Sequence, residues 1–65
     1  MKIQLNGASI EAQVTTLADL LEAEGFGRAK VATAVNSTFV PAAARADHAL
    51  KDGDSIEVLA PMQGG

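Results

Sequence analysis

The N-terminal stretch alternates between apolar and polar side chains and is interrupted once by a turn signal. In MKIQLN, Ile3 and Leu5 fall on one face, and SIEAQV alternates again after the interruption. The intervening Asn6-Gly7 pair tolerates the positive φ angles that a tight two-residue hairpin turn requires. The pattern therefore predicts a β-hairpin.

The apolar spacing changes from two residues to three or four in TTLADLLEAEG. The leucines that share one face at this helical spacing are Leu17, Leu20 and Leu21. Thr15 or Thr16 can cap the N terminus, and with Thr16 as the cap, Asp19 places negative charge at the positive end of the helix dipole. Gly25 or Gly27 supplies the left-handed residue that ends a helix. We therefore expect one helix of about ten residues.

Three further strands are predicted after the helix. KVATAVN is a β-branched and apolar run, TFV is a short strand that Pro41 ends, and SIEVLA alternates. In SIEVLA, Ile56 and Val58 share one face and Leu59 lies on the other. Turn signals in NS and KDGD separate these strands. The intervening AAARADHAL is compatible with a helical turn or with irregular structure.

The predicted order β-β-α-β-β-β is typical of an α+β domain with one helix across one face of a mixed sheet of four or five strands. With a right-handed crossover, the compact arrangement is the β-grasp, whose first and last strands are parallel neighbours at the centre. We expect residues 1–60 to form this domain and residues 61–65 to form a flexible C-terminal tail. One helix leaves one sheet face uncovered, and Phe39 and Leu59 are candidate docking residues there.

The composition narrows the possible functions. The chain has 65 residues, a net charge of −3 and no cysteine. So short a chain has little interior for a catalytic pocket. The basic residues are scattered, mostly at expected surface positions, and form no patch for nucleic-acid phosphates. Without cysteine, a disulfide framework, a thiolate zinc site and a cysteine nucleophile are excluded.

Other catalytic patterns are also missing. The chain has no Ser/His/Asp order, metal-ligand spacing or phosphate loop. His48, the lone histidine, is expected on the surface or half-buried, and Asp52 and Asp54 are expected to serve a turn. No segment resembles a signal peptide or a membrane span. We expect a cytoplasmic protein that is not itself an enzyme, with no metal site, no bound cofactor, no nucleic-acid partner and no membrane contact.

The ending APMQGG raises a separate possibility. Pro61 ends strand pairing, and Gly64 and Gly65 carry no side chains. The pair is either a frayed terminus without a function or a terminus that takes part in a reaction at the α-carboxylate. A carboxylate becomes acylating only when activated, for instance as a mixed anhydride with AMP, and glycine can enter a narrow channel of an adenylating enzyme. Five residues span at most about 17 Å, which is enough to reach into a partner.

The motifs together resemble a known family. NG in the first turn, VATAVN leading to FVP, and LKDGDSIEVLAPMQGG at the end are similar to the ThiS sulfur carrier proteins of thiamine biosynthesis, in the ubiquitin-like superfamily. The resemblance covers essentially the whole chain and is most specific from DGD to the terminal GG. The chain departs from the family pattern at Ala42, where an arginine often follows the proline.

The resemblance implies a cycle centred on Gly65. Its carboxylate is adenylated with Mg-ATP by an E1-like activating enzyme, and sulfur from a cysteine desulfurase pathway converts it to a C-terminal thiocarboxylate (1-thioglycine). Thiazole synthase then receives the sulfur, so the protein is a co-substrate of both enzymes. The residues that thread into these partner sites are Gly64, Gln63 and Met62.

Three alternatives remain open from the sequence. The small subunit of molybdopterin synthase is also a β-grasp thiocarboxylate carrier, although its members tend to be longer. A ubiquitin-like modifier would be conjugated to lysines of other proteins. In a plain interaction domain, the terminal glycines would be inert.

Overall fold

A computed structural model describes residues 1–27 and 29–60 of the chain. The elements in order are β1 (Lys2–Leu5), β2 (Ala8–Glu11), α1 (Leu17–Ala23), β3 (Ala32–Val35), β4 (Thr38–Val40), a 3₁₀ helix (Ala42–Asp47) and β5 (Ser55–Leu59). The predicted order is confirmed, and the ambiguous stretch after Pro41 contains the 3₁₀ helix. None of the helices in these two ranges is long and apolar enough to cross a membrane.

The first hairpin forms at the predicted turn. Asn6 has a φ of 51° and Gly7 a φ of 85°. Both values are positive, as a primed two-residue turn requires, and this turn matches the right-handed twist of the flanking strands. β1 and β2 pair antiparallel in consequence, with Ile3 opposite Ile10 and Leu5 opposite Ala8.

The N terminus of α1 is a reciprocal capping box. The Asp19 N–H donates to Thr16 Oγ1 at 3.2 Å, and the Thr16 N–H donates to Asp19 Oδ2 at 3.2 Å. Two backbone donors that the helix itself cannot pair are thereby satisfied. Of the two threonines predicted as alternatives, Thr16 is the cap.

The C terminus of α1 ends at Gly25, which has a φ of 87°. The Phe26 N–H donates to the Leu21 carbonyl at 2.7 Å, and the Gly25 N–H donates to the Glu22 carbonyl at 3.2 Å. These two bonds form a Schellman motif, which closes a helix around a left-handed residue. The helix has seven residues, shorter than the expected ten or so, because this motif begins immediately after Ala23.

The strands form one mixed sheet in the order β2-β1-β5-β3-β4. β1 and β5 are parallel, and the other neighbouring pairs are antiparallel. The first and last strands are therefore adjacent, with β5 in the middle position. This arrangement confirms the predicted β-grasp and shows that its sheet has five strands.

The core lies between α1 and one face of the sheet. The buried apolar residues are Ile3, Ala12, Leu17, Leu20, Leu21, Val35, Val40, Leu50, Ile56 and Val58. Leu5 and Val14 are half-buried and pack against this cluster. The predicted leucine face of the helix is confirmed, since all three of its leucines belong to the core.

Candidate functional site

The sheet face that points away from α1 carries an apolar surface. In the strand register, Ala34 is opposite both Phe39 and Glu57, and Ala32 is opposite Leu59. Residues directly opposite each other on neighbouring strands share a face. We call the resulting surface the outer patch, which consists of Ala32, Ala34, Phe39, Glu57 and Leu59.

Phe39 and Leu59 dominate the outer patch. Their exposed fractions are 65% and 66%, and they are the large exposed hydrophobic residues within the part of the chain that the structure describes. Alternation along β5 explains the exposure of Leu59, because Ile56 and Val58 point into the core. The structure thus brings the two candidate docking residues onto one face, and docking itself stays a prediction.

β5 leads from the outer patch to the tail. Its last two residues pair with β3, where Val58 is opposite Thr33 and Leu59 is opposite Ala32. The chain leaves the sheet after Leu59, at Ala60. The predicted site residues that follow, Met62, Gln63, Gly64 and Gly65, lie outside the described residues, as does the prediction that the tail is flexible.

On the side of β5 that faces β1, the end of the strand is held by the side chain of Asn6. The backbone pairing of β1 with β5 ends where the Asn6 N–H donates to the Ile56 carbonyl at 2.9 Å, because β1 then turns into its hairpin. The Val58 N–H donates to Asn6 Oδ1 at 2.8 Å, and Asn6 Nδ2 donates to the Val58 carbonyl at 3.2 Å. The side-chain amide therefore continues the ladder where the backbone of β1 cannot.

A second asparagine holds the beginning of β5. The Ser55 N–H donates to Asn36 Oδ1 at 2.9 Å, and the Asn36 N–H donates to the Ser55 carbonyl at 2.7 Å. Asn36 Nδ2 also donates to Asp54 Oδ1 at 3.0 Å. Asn36 has a φ of 50°, almost the same as the 51° of Asn6. Both ends of the central strand are thus fastened by asparagines in left-handed turn conformations.

Asp54 is the buried carboxylate of this network. Its second oxygen, Oδ2, accepts a hydrogen bond from the Lys51 N–H at 2.8 Å. Burial raises the pKa of Asp54, but the bonds from Asn36 and the Lys51 N–H, with the charges of Lys51 and His48, outweigh burial and hold it below its usual value. The predicted turn role of Asp54 agrees with this geometry, and the link to Asn36 extends it.

Arg45 fastens the 3₁₀ helix to β3. Its Nε donates to Thr33 Oγ1 at 3.0 Å, and its Nη2 donates to the Val31 carbonyl at 2.6 Å. Thr33 is buried and donates its own hydroxyl proton to the Val40 carbonyl at 2.8 Å. Arg45 is an exception to the surface position expected for most basic residues, since it is half-buried and its guanidinium bonds to Thr33 and Val31.

The remaining polar candidates have structural surroundings. His48 is half-buried, as expected, and its carbonyl accepts a hydrogen bond from the Leu17 N–H at 2.9 Å. Among the described residues, no three His, Asp or Glu side chains cluster closely enough to hold a metal ion.

Sequence reasoning missed the side-chain bonds of Asn6, Asn36 and Arg45. One signal was available for the asparagines, since each occupies the first left-handed position of a hairpin turn. Glycine fits that position equally well, so a side chain that can both donate and accept hydrogen bonds suggests a further partner. No comparable pattern marks Arg45.

A five-stranded mixed sheet with a parallel central pair and one covering helix defines a ubiquitin-like β-grasp protein. The chain belongs to the ThiS family, whose model matches residues 3–65. It is similar to the crystal structure of the thiamine biosynthesis protein ThiS from Geobacter metallireducens, with 28% sequence identity, a TM-score of 0.86 and 100% of both chains covered. A comparison with the curated proteins finds no match.

Proposed function

We propose that the protein is a sulfur carrier of thiamine biosynthesis, which acts as a co-substrate of its partner enzymes rather than as a catalyst. The observation that carries this proposal is the ThiS family match, which extends through the final Gly-Gly pair. The fold supports it, because the central strand β5 leads directly from the sheet to residues 61–65. We expect the protein to act in the cytoplasm.

The reacting group is the α-carboxylate of Gly65. An E1-like enzyme would bind the tail beside Mg-ATP, and the carboxylate would attack the α-phosphorus and release pyrophosphate. The resulting acyl adenylate is an activated electrophile with AMP as its leaving group. Glycine suits this step, since the absence of Cβ allows the terminus to enter a narrow channel.

Sulfur would arrive as a persulfide from a cysteine desulfurase pathway. The terminal persulfide sulfur attacks the acyl carbon and expels AMP, which gives an acyl disulfide. A thiol of the partner then attacks the S–S bond, so that the partner's two sulfurs form a disulfide and the carrier keeps a thiocarboxylate. The carrier has no cysteine of its own, so the terminus is its place for holding sulfur.

Delivery requires a domain that docks outside while its terminus reaches inside. Residues 61–65 span at most about 17 Å when extended, so Met62, Gln63 and Gly64 would lie inside the partner's channel. We propose that the outer patch is the docking face for the activating enzyme and for thiazole synthase. Leu59 supports this assignment, because it belongs both to the outer patch and to the strand that leads into the tail.

Mass spectrometry of the intact protein tests the proposed function. The protein is incubated with its activating enzyme, Mg-ATP and a persulfide donor, and its mass is compared with that of untreated protein. Replacement of one oxygen by sulfur at Gly65 is the expected result. An isopeptide adduct on another protein would indicate a modifier, and an unchanged mass would indicate an interaction domain. Transfer of the sulfur to thiazole synthase, and not to molybdopterin synthase, distinguishes the two carriers.

A further inference from the structure

We propose that Asn6 is a positioning residue for the C-terminal tail. Its side-chain amide holds the end of β5 on the side opposite β3, and together with the pairing of Leu59 with Ala32 it sets the direction in which the chain leaves at Ala60. The inference rests on the proposed function, because this direction matters when the terminus has to reach a partner's active site.

The Asn6 side chain is the hydrogen-bond partner of both backbone groups of Val58. The N–H and C=O of a strand residue point to the same side of the strand. Both of these groups of Val58 bond to the Asn6 side chain, at 2.8 and 3.2 Å, so neither is available to β3. Without Asn6, neither of these two backbone groups would keep its partner, and Val58 would be held beside β3 only by its buried side chain and by its neighbours in the strand.

Only asparagine satisfies both requirements of this position. The φ of 51° is tolerated by asparagine, aspartate and glycine. The Val58 groups require one acceptor and one donor on the same side chain, which an amide provides and an ionised carboxylate does not. Asn6→Gly therefore removes the two bonds without straining the turn, and Asn6→Asp removes the donor alone.

The other end of β5 offers a matched control. Asn36 has a φ of 50° and also bonds the strand through its side chain, at Ser55. Asn36→Gly removes a comparable set of hydrogen bonds from the same strand, but at the end away from the tail. An effect caused by general loss of stability appears in both variants, whereas an effect on the tail appears only with Asn6→Gly.

The first measurement is amide hydrogen exchange in the free, full-length protein. In Asn6→Gly, the Val58 N–H loses its acceptor, so its exchange should accelerate by about tenfold or more relative to the slowest core amides. In Asn36→Gly, Val58 should exchange as in the unmodified protein on the same relative scale. Equal acceleration of Val58 in both variants, or none in Asn6→Gly, would overturn the inference.

The second measurement is the kinetics of pyrophosphate release by the activating enzyme with Mg-ATP. If only a fraction of Asn6→Gly molecules presents the tail in the required direction, KM rises by the inverse of that fraction while kcat stays unchanged. We expect KM to rise by about tenfold in Asn6→Gly, by less in Asn6→Asp, and not in Asn36→Gly at a temperature where all variants are folded.

The outcomes separate this inference from the proposed function. If the unmodified protein is activated and Asn6→Gly is activated with the same KM, the positioning role is wrong and the carrier function stands. A fall in kcat at constant KM would also overturn the positioning role. If the unmodified protein itself releases no pyrophosphate, the proposed function fails, and the role of Asn6 in activation fails with it.

Discussion

The polar network around the buried Asp54, at the start of β5, links two turns and strand β1. Asp54 receives hydrogen bonds from Asn36 Nδ2 and from the Lys51 N–H, and its own carbonyl accepts from the Gln4 N–H at 2.9 Å. A carboxylate that accepts two such bonds is stabilised in its ionised form. The network therefore links the stability of the sheet to the protonation of one residue.

The first prediction concerns this pH dependence. The folded-state pKa of Asp54 lies below its ordinary value, so the folded state binds the proton less readily than the unfolded chain. The contribution of Asp54 to stability is then full at pH values above about 4 and is lost as the pH falls through the folded pKa. Urea unfolding at a series of pH values should show this loss.

Asp54→Asn should remove that part of the acid dependence and should also lower stability at neutral pH. Asp47→Asn is the matched control, since it removes one exposed carboxylate from the 3₁₀ helix. If Asp54→Asn and Asp47→Asn had the same pH profile, the assigned role of Asp54 would be wrong.

At the residue scale, sequence reasoning succeeded where the cause is local. The positive φ values of Asn6 and Gly7 follow from the two residues themselves, so the turn could be predicted. The bond from Val58 to Asn6 joins residues that are 52 positions apart. Such a partner is set by the strand register of the folded sheet, which apolar periodicity does not encode, and the side-chain bonds were missed for this reason.

At the scale of elements, α1 is defined by its two ends and its leucine face. The capping box begins it at Leu17, and the Schellman motif ends it after Ala23. The leucine face was predictable from spacing alone. The length was overestimated because both Gly25 and Gly27 were compatible with the sequence, and only the backbone geometry shows that Gly25 ends the helix.

The second prediction tests the N-terminal cap. Thr16→Ala should lower the free energy of unfolding by about 1 kcal/mol, since the Asp19 N–H loses its acceptor. Thr16→Ser keeps a hydroxyl at this position and should retain most of the stability. Thr15→Ala is the matched control and should have a smaller effect, because the hydroxyl that caps α1 belongs to Thr16. Equal losses in the two alanine variants, measured by urea unfolding, would contradict the assignment.

The third prediction concerns the helix face. Leu20 is fully buried, so Leu20→Ala should cost about 2–5 kcal/mol through lost contacts and a cavity. In a domain of this size, such a loss approaches the total stability. Glu22→Ala, on the exposed side of the same helix, should change stability by no more than about 0.5 kcal/mol. Denaturant unfolding measures both, and a change below half a kcal/mol for Leu20→Ala would show that the helix packs differently.

At the scale of the whole molecule, the sheet separates two surfaces. One face carries the core and α1, and the other carries the outer patch next to the strand that leads into the tail. This division was predictable, because a single helix covers only one face of a small sheet. What binds the outer patch could not be predicted, because an exposed apolar patch indicates an interaction site without identifying the partner.

The fourth prediction tests the outer patch. Phe39→Glu and Leu59→Glu should each weaken binding to the activating enzyme by about tenfold or more, because an interface centred on a large apolar side chain tolerates a charge poorly. Both residues are exposed, so the melting temperatures should change little. Glu22→Lys, on the helix side, changes charge without touching the patch and should bind normally. Calorimetric titration that gives unchanged affinities for both patch variants would remove the docking assignment.

The most direct test of the carrier function concerns the position of the terminal carboxylate. Adding one alanine after Gly65 moves the carboxylate by up to about 3.6 Å, and deleting Gly65 moves it the other way. A displacement of even about 1 Å can lower the rate of a positioned reaction by about a hundredfold. Neither change affects the core, so the melting temperatures should match that of the unmodified chain.

The measurement is pyrophosphate release by the activating enzyme with Mg-ATP, followed by mass analysis of the carrier. The unmodified chain should release pyrophosphate and exchange one oxygen for sulfur, and both altered chains should be slower by about a hundredfold or more. Activation of the extended chain as fast as the unmodified one would contradict a mechanism that acts on the carboxylate of Gly65.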